Sequence, residues 1–153
     1  MIYILTAPIQ SGKTTSLVNW SEKRTDVYGI LTPVIDGKRI FMNAKTKEQF
    51  PMEATGNEET LTVGRFVFSK TGFEKAKQII RYAININDWL VIDEIGPMEL
   101  RGDGFCNVLK EVLSIRKEKL LLVVREGMAG KVKDYFEMSD AEIIKEIALI
   151  RTA

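Results

Sequence analysis

The segment at residues 3–17, Y-I-L-T-A-P-I-Q-S-G-K-T-T-S-L, constrains the fold of this chain more than any other. The apolar run that ends at Leu5 predicts a buried strand, and Pro8 and Gly12 indicate a loop after it. Beyond Lys13 the apolar residues recur with helical spacing. A strand, a loop ending in G-K-T and then a helix form the arrangement that binds phosphate groups through backbone N–H groups and the helix dipole.

This motif assigns roles to individual residues. Lys13 is expected to reach the β- and γ-phosphates of a nucleotide, and the Thr14 hydroxyl to hold Mg²⁺. The usual pattern G-x-x-x-x-G-K-[ST] has its first glycine where this chain has Ala7. Alanine is small enough for the turn, so we expect an altered but functional loop. The predicted phosphate-binding residues are Ala7, Pro8, Ile9, Gln10, Ser11, Gly12, Lys13, Thr14 and Thr15.

Composition narrows the class of protein. The 153 residues are 45% hydrophobic and are expected to form a single domain, 1–153. A net charge of +1 gives no indication of nucleic-acid binding, and no apolar run is long enough for a membrane span. The single cysteine, Cys106, and the lack of a basic region before Ile2 predict a cytoplasmic protein without a signal peptide.

The chain contains no histidine. Catalysis by a Ser-His-Asp triad, histidine bases and histidine metal ligands are therefore excluded. Any acid–base step must use aspartate, glutamate, lysine or tyrosine.

Alternating strand and helix patterns predict an α/β fold with three layers and a mainly parallel central sheet, which binds ligands at the carboxyl ends of its strands. A small antiparallel β insert is expected at 27–69. The tail at 141–150 fits either a helix or a last strand. The other predicted elements are a helix at 14–24, strands at 27–34, 39–43, 49–53 and 63–69 with a hairpin turn at Asp36-Gly37 and a loop at 54–62, helices at 72–85, 104–117 and 129–137, and strands at 89–92 and 120–124.

A second motif, W-L-V-I-D-E-I-G-P-M-E-L at 89–100, is an apolar strand ending in two carboxylates. Its Asp93 is typical of a Walker B aspartate, which lies near Mg²⁺ directly or through water. Glu94 can orient and deprotonate the water that attacks the γ-phosphate. We expect this strand to be the neighbour of the strand that precedes the phosphate loop.

The run D-E-I-G-P-M-E-L after an N-terminal G-K-T resembles the small thermophile-type nucleoside-triphosphatase family, a RecA-like group of P-loop enzymes. Y-G-I-L-T-P-V with G-K-R-I, T-V-G-R-F-V-F and D-A-E-I-I-K-E-I resemble further family segments, and the last favours a strand in the tail. The resemblance implies slow, Mg²⁺-dependent hydrolysis of ATP, GTP and other triphosphates with little base preference.

The family often has V-H-R at the end of the strand that follows this motif, where this chain has Val123-Val124-Arg125. Arg125 is therefore the best candidate for a cation on the transferring phosphate, and Arg65 and Arg101 are weaker ones. Gly96 and Glu99 are counted with the nucleotide-binding residues, and Glu99 is expected to orient the loop or arginine side chains.

Two other functions remain open at this point. A nucleotide or small-molecule kinase would need an acceptor site and usually an arginine-bearing lid, and residues 127–138 contain no arginine. A nucleotide-binding switch with little turnover would use the β insert to bind a protein partner that the sequence does not identify. No N-K-x-D motif is present, so the preferred base and the physiological substrate are undetermined.

Overall fold

The computed structural model describes residues 1–6, 13–54, 60–63 and 66–150. The predicted loop residues 7–12 and Arg65 lie outside this part. The described strands are β1 Ile2–Leu5, β2 Val27–Leu31, β3 Val34–Ile35, β4 Lys38–Asn43, β5 Gln49–Pro51, β6 Thr60–Val63, β7 Phe66–Ser69, β8 Trp89–Ile95, β9 Leu120–Val124 and β10 Glu142–Ile144. The helices are α1 Lys13–Glu22, α2 Lys70–Ala83, α3 Pro97–Leu100, α4 Cys106–Ile115 and α5 Ala129–Tyr135, with a 3₁₀ turn at Ile147–Leu149.

The central sheet has the order β10-β1-β9-β8-β2-β4-β3, and β5 pairs with β4. The strands from β10 to β2 are parallel, as the alternating pattern predicts. The expectation that β1 and β8 are neighbours is wrong, because β9 lies between them. Periodicity shows that each strand is buried on both faces, and it does not determine the order of the strands.

The antiparallel part of the chain is smaller than the predicted insert at 27–69. β2 pairs in parallel with β8 and so belongs to the central sheet, and only β3, β4 and β5 extend it in antiparallel fashion. β6 and β7 form a separate two-stranded hairpin. The loop predicted at 54–62 is therefore wrong at its end, because Thr60 already belongs to β6. The segment is predicted as a loop because it is polar, but Thr60 and Thr62 are β-branched residues, which favour strands.

Two local predictions are confirmed. Asp36 and Gly37 join β3 to β4 with φ angles of 52° and 77°, as a two-residue hairpin turn with two positive φ angles requires. In the tail, β10 pairs in parallel with β1 before the 3₁₀ turn begins, so the strand is the correct alternative. The strand predicted at 49–53 is shorter in the structure, since β5 ends at Pro51, and it pairs with β4.

Helices cover both faces of the sheet. Leu17 of α1 and Ile150 pack with the residues of one strand face, including Val91 and Val123. The opposite face packs against α2, α4 and α5 and contains most of the aromatic side chains of the core. The fold is thus the predicted three-layer α/β arrangement. In the described part of the chain, no helix is long and apolar enough to cross a membrane.

The start of β8 is held by a buried arginine. The Arg116 guanidinium, at the C-terminal end of α4, donates to the carbonyl oxygens of Ala83, Ile84, Ile86, Asp88 and Lys119. These bonds satisfy carbonyl groups at the end of α2 and in the turn that leads to β8. The strand that carries the two carboxylates is therefore anchored at its beginning.

We predict that Gly29→Ala will prevent normal pairing of β2 with β8. Gly29 has a φ angle of +111°, and an added Cβ would lie 2.0 Å from the carbonyl oxygen of Val91. Gly37→Ala is the matched control, since Gly37 also has a positive φ but has open space around it. Denaturant unfolding should show a loss of more than about 3 kcal/mol for Gly29→Ala and about 1 kcal/mol for Gly37→Ala. Equal losses would contradict the close contact.

Candidate active site

An open cavity of about 230 Å³ lies where β2 and β8 end, at the carboxyl edge of the sheet. Ligands of parallel α/β sheets bind at this edge. The lining combines charged groups with apolar side chains. The residues are Thr32, Arg39, Met52, Glu53, Phe68, Phe73, Glu94, Gly96, Pro97, Met98, Glu99, Phe105 and Arg125.

The end of β8 carries one residue more than its partner strand. Asp93 is opposite Val123 and Ile95 is opposite Val124, so Glu94 is the additional residue of a bulge. Such bulges redirect side chains and are common beside active sites. Here the bulge separates two adjacent carboxylates, which the sequence alone does not show.

The Asp93 side chain is completely buried and lies towards β2. Its Oδ2 accepts a hydrogen bond from the backbone N–H of Thr32 at 3.1 Å. Burial and the neighbouring Glu94 carboxylate raise the pKa of Asp93, while the bond from Thr32 acts in the opposite direction. Asp93 faces the same side of the sheet as α1, because its partner Val123 packs in the core beneath that helix.

The Glu94 side chain lies on the other side, towards the end of β9. Its Oε1 is 3.7 Å from Nη2 of Arg125, and the two side chains are 22% and 50% exposed. Both line the cavity. The structure therefore brings Glu94 and Arg125 together, in a position where solvent and small molecules can reach them.

Glu99 is buried and holds the turn after β8. Its two carboxylate oxygens accept hydrogen bonds from the backbone N–H groups of Gly96 at 2.7 Å and Phe105 at 3.0 Å. Gly104, with a φ of +57°, leaves room for this carboxylate, since an added Cβ would lie 2.1 Å from Oε2. Burial raises the pKa of Glu99 to about 7. The expectation that Glu99 orients the loop is consistent with these bonds.

The other predicted residues are placed as follows. Lys13, Thr14 and Thr15 form the first residues of α1. Arg101 is exposed and does not line the cavity. The sequence did not identify Thr32 and Arg39 as residues of the site. Both line the cavity, and Arg39 donates a hydrogen bond to the carbonyl oxygen of Thr32 at 3.1 Å.

The end of an apolar strand is the sequence signal that could have identified Thr32, whereas Arg39 lies within the antiparallel strand β4 and has no such signal. Thr32 directly follows β2, and residues just beyond a parallel strand are candidates for a site. The sequence also gives no sign that Phe68, Phe73 and Phe105 line a cavity, because phenylalanine at helical or strand spacing predicts ordinary core packing.

Among the residues that the structure describes, no group of three or more His, Cys, Asp or Glu side chains could hold a metal ion. Mg²⁺ does not require such a group, because it usually binds one or two carboxylates together with phosphate oxygens and water. A buried carboxylate such as Asp93 is suited to a nearby cation. The donor chemistry therefore fits Mg²⁺.

We predict that Glu99 makes the chain less stable as pH rises from about 4.5 to about 7. The folded protein holds the proton of Glu99 more tightly than the unfolded chain does, so the free energy of unfolding falls across this interval. The contribution is about 3 kcal/mol at most. The negative charge of Glu94, which lines the same cavity, also raises the pKa of Glu99. The other charged groups in the lining are Arg39, Glu53 and Arg125.

The measurement is urea unfolding between pH 4.5 and 8. Glu99→Gln should show a shallower decrease of stability with pH than the unmodified protein. A constant loss is also expected, because glutamine has one acceptor oxygen where the carboxylate has two, so one of the two N–H groups loses its acceptor. Glu126→Gln, an exposed position, is the control and should keep the original slope. Parallel slopes for all three proteins would contradict the role of Glu99.

Comparison with known proteins identifies relatives along most of the chain. A family model described as NTPase matches residues 2–148. The nucleoside-triphosphatase THEP1 of Thermococcus kodakarensis is 31% identical over 137 residues, which are 80% of this chain and 75% of the relative. The nucleoside-triphosphatase THEP1 of Methanocaldococcus jannaschii is 29% identical over 137 residues, 83% of this chain and 79% of the relative.

Two solved structures share the fold. The crystal structure of THEP1 from Aquifex aeolicus has a TM-score of 0.70 and 22% identity, covering 95% of this chain and 89% of the other. The solution structure of a human cancer-related nucleoside triphosphatase has a TM-score of 0.67 and 22% identity, with coverage of 94% and 87%. Because the family model and the relatives extend over most of its length, the chain belongs to the NTPase family.

Proposed function

We propose that the chain is a single P-loop domain over 1–153 that hydrolyses nucleoside triphosphates, ATP and GTP among them, to diphosphate and phosphate in a Mg²⁺-dependent reaction. Membership of the NTPase family places it among enzymes that hydrolyse these compounds. The observation that carries the proposal is the divergence of Asp93 and Glu94 at the end of the central strand. One carboxylate is buried on the side of α1, and the other opens to solvent beside an arginine.

In this proposal the phosphates bind the loop at 7–12 and the first residues of α1. The Thr14 hydroxyl and the Asp93 carboxylate would hold Mg²⁺, which when bound would neutralise charge on the β- and γ-phosphates. Asp93 is already oriented by the Thr32 N–H, so its carboxylate would not need to be ordered when nucleotide binds. Lys13 adds the positive charge of the loop.

Glu94 is the proposed general base for the attacking water. The chain has no histidine, and Asp93 would be committed to the metal, so we assign the proton to Glu94, the partly exposed carboxylate at the end of β8. Arg125 lies beside Glu94 and is the proposed cation for the charge that develops on the transferring phosphate. Gly96 and Glu99 act by fixing the chain, because the hydrogen bond from the Gly96 N–H to the Glu99 carboxylate holds the turn that follows the proposed base.

We predict that Asp93→Asn will raise the Mg²⁺ concentration needed for half-maximal hydrolysis by at least about 10-fold. The asparagine side-chain oxygen can still accept the bond from Thr32, so the substitution removes mainly the charge. Asp103→Asn, at an exposed position after α3, is the control. Titration of phosphate release with Mg²⁺ at saturating ATP is the measurement. Unchanged Mg²⁺ dependence would exclude Asp93 from the metal site.

We predict that Glu94→Gln will lower kcat by at least about 10²-fold, because it removes the base and keeps the size of the side chain. Nucleotide affinity should be held or improved, since a negative charge near the phosphates is lost. Single-turnover hydrolysis and calorimetric binding of ATP are measured on the same preparation, with Glu126→Gln as the exposed control. A variant that hydrolyses at the normal rate would exclude Glu94 as the base. An unmodified protein that binds ATP without turnover would favour the nucleotide-binding switch.

A further inference from the structure

The cavity beside Glu94 is larger and more apolar than is needed to hold the single water molecule that would attack the γ-phosphate. A water molecule occupies about 30 Å³ in the liquid, whereas the cavity measures about 230 Å³. Its interior is formed by phenylalanine and methionine side chains. These are Met52, Phe68, Phe73, Met98 and Phe105.

The aromatic walls are held in position by contacts with one another. The ring centroid of Phe73 lies 5.8 Å from that of Phe68 and 5.2 Å from that of Phe105. Phe73 and Phe105 are buried core residues, whereas Phe68 is half-buried at the edge. Rigid aromatic walls with an open side are typical of a pocket for a small apolar ring, since such sites are concave, mostly apolar and preformed.

The charges at the cavity indicate a neutral ligand. Arg39 and Arg125 line it together with Glu53 and Glu94, so two positive groups are matched by two negative ones. The carboxylate of Glu99 is occupied by backbone N–H groups. A monophosphate or carboxylate ligand would need an excess of positive charge, which the described lining does not provide.

The volume also limits the ligand. Sites for drug-sized molecules measure roughly 300–1,000 Å³, and this cavity is smaller. A single ring with a short substituent is therefore the appropriate size. Glu94 lines the cavity beside Arg125, so we assign to it the proton from a hydroxyl on that substituent. Asp93 is completely buried and does not line the cavity.

We propose that this cavity is an acceptor site, and that the chain transfers the γ-phosphoryl group to a small neutral alcohol with an aromatic ring, in competition with water. The proposal rests on the proposed function, because it uses the same nucleotide and the same base. The aromatic ring packs against the phenylalanine side chains, and the hydroxyl group faces Glu94 and Arg125.

The transfer is balanced without any further reactant. The alcohol oxygen attacks the γ-phosphorus and forms a new O–P bond, while the bond from that phosphorus to the β–γ bridging oxygen breaks. The electron pair of the broken bond leaves with the nucleoside diphosphate. The hydroxyl proton passes to a carboxylate oxygen of Glu94 and then to solvent, so the products are a phosphate monoester, the diphosphate and a proton.

The test uses the full chain with Mg²⁺ and ATP and three probes that share a phenyl ring and differ in reach: phenol, benzyl alcohol and 2-phenylethanol. Phosphorus NMR separates inorganic phosphate from the ester. We expect at least one probe to yield its phosphate ester and to lower inorganic phosphate in a saturable way, with half-saturation at about millimolar concentration, as expected for a small ring. AMP is the charged comparison and should yield no ADP beyond that formed from ATP.

Phe68→Ala tests the cavity itself, and Tyr82→Ala is the matched control. Tyr82 is an exposed aromatic residue on α2 that does not line the cavity. We expect the ratio of ester to inorganic phosphate to fall at least about 10-fold in Phe68→Ala, since an aromatic contact and its buried area are lost. The ratio should stay unchanged in Tyr82→Ala. Phe68→Leu, which keeps much of the apolar volume, should give an intermediate ratio and guards against a folding defect.

The outcomes separate this proposal from the proposed function. Release of inorganic phosphate without ester from any probe would overturn the acceptor site and leave hydrolysis intact. Ester formation that is insensitive to Phe68 would also overturn it, as would preferential transfer to AMP. Absence of both inorganic phosphate and ester would contradict the proposed function itself.

Discussion

The pairing of β8 with β9 is the constraint on which the candidate site depends. Six of the seven residues of β8 are buried, so a slip of one position along the strand would move charged groups into the core. The single change of register falls between Asp93 and Ile95, where the strand leaves the core. Glu94 is therefore the one residue of β8 that is not buried, and its position follows from the packing of the residues before it.

The turn after β8 is stabilised by a group that is costly to bury. Glu99 lies among apolar side chains, and its carboxylate is retained because it satisfies the N–H groups of Gly96 and Phe105. Gly104 provides the space that the carboxylate occupies. Since Phe105 forms a wall of the cavity, the same two hydrogen bonds connect the strand end that carries Glu94, the proposed base, to the aromatic lining. Site geometry and local stability thus depend on one side chain.

Local features of this fold could be predicted from the sequence, and long-range ones could not. The apolar runs of β1, β8 and β9 and the Asp36-Gly37 turn depend on neighbouring residues, and the structure confirms them. The position of β9 between β1 and β8 depends on how helices pack over the sheet, which apolar periodicity does not encode. The cavity could not be predicted for the same reason, because its lining comes from many separate segments. These are the residue after β2, β4, the two residues after β5, β7, α2, the end of β8, the turn that follows it, the residue before α4 and the residue after β9. The bulge at Glu94 involves one residue and leaves no pattern in the sequence.

The contact between Glu94 and Arg125 is weak enough for Arg125 to leave Glu94 and bind another anion. Its atoms are 3.7 Å apart and Arg125 is half exposed, and pairs of this kind contribute about 0–1 kcal/mol. A triphosphate carries several negative charges and binds arginine more strongly than one solvated carboxylate does. In the proposed reaction Arg125 would turn towards the phosphate and reduce its contact with Glu94. Glu94 would then be available to the attacking water, in a chain that has no histidine to take its place.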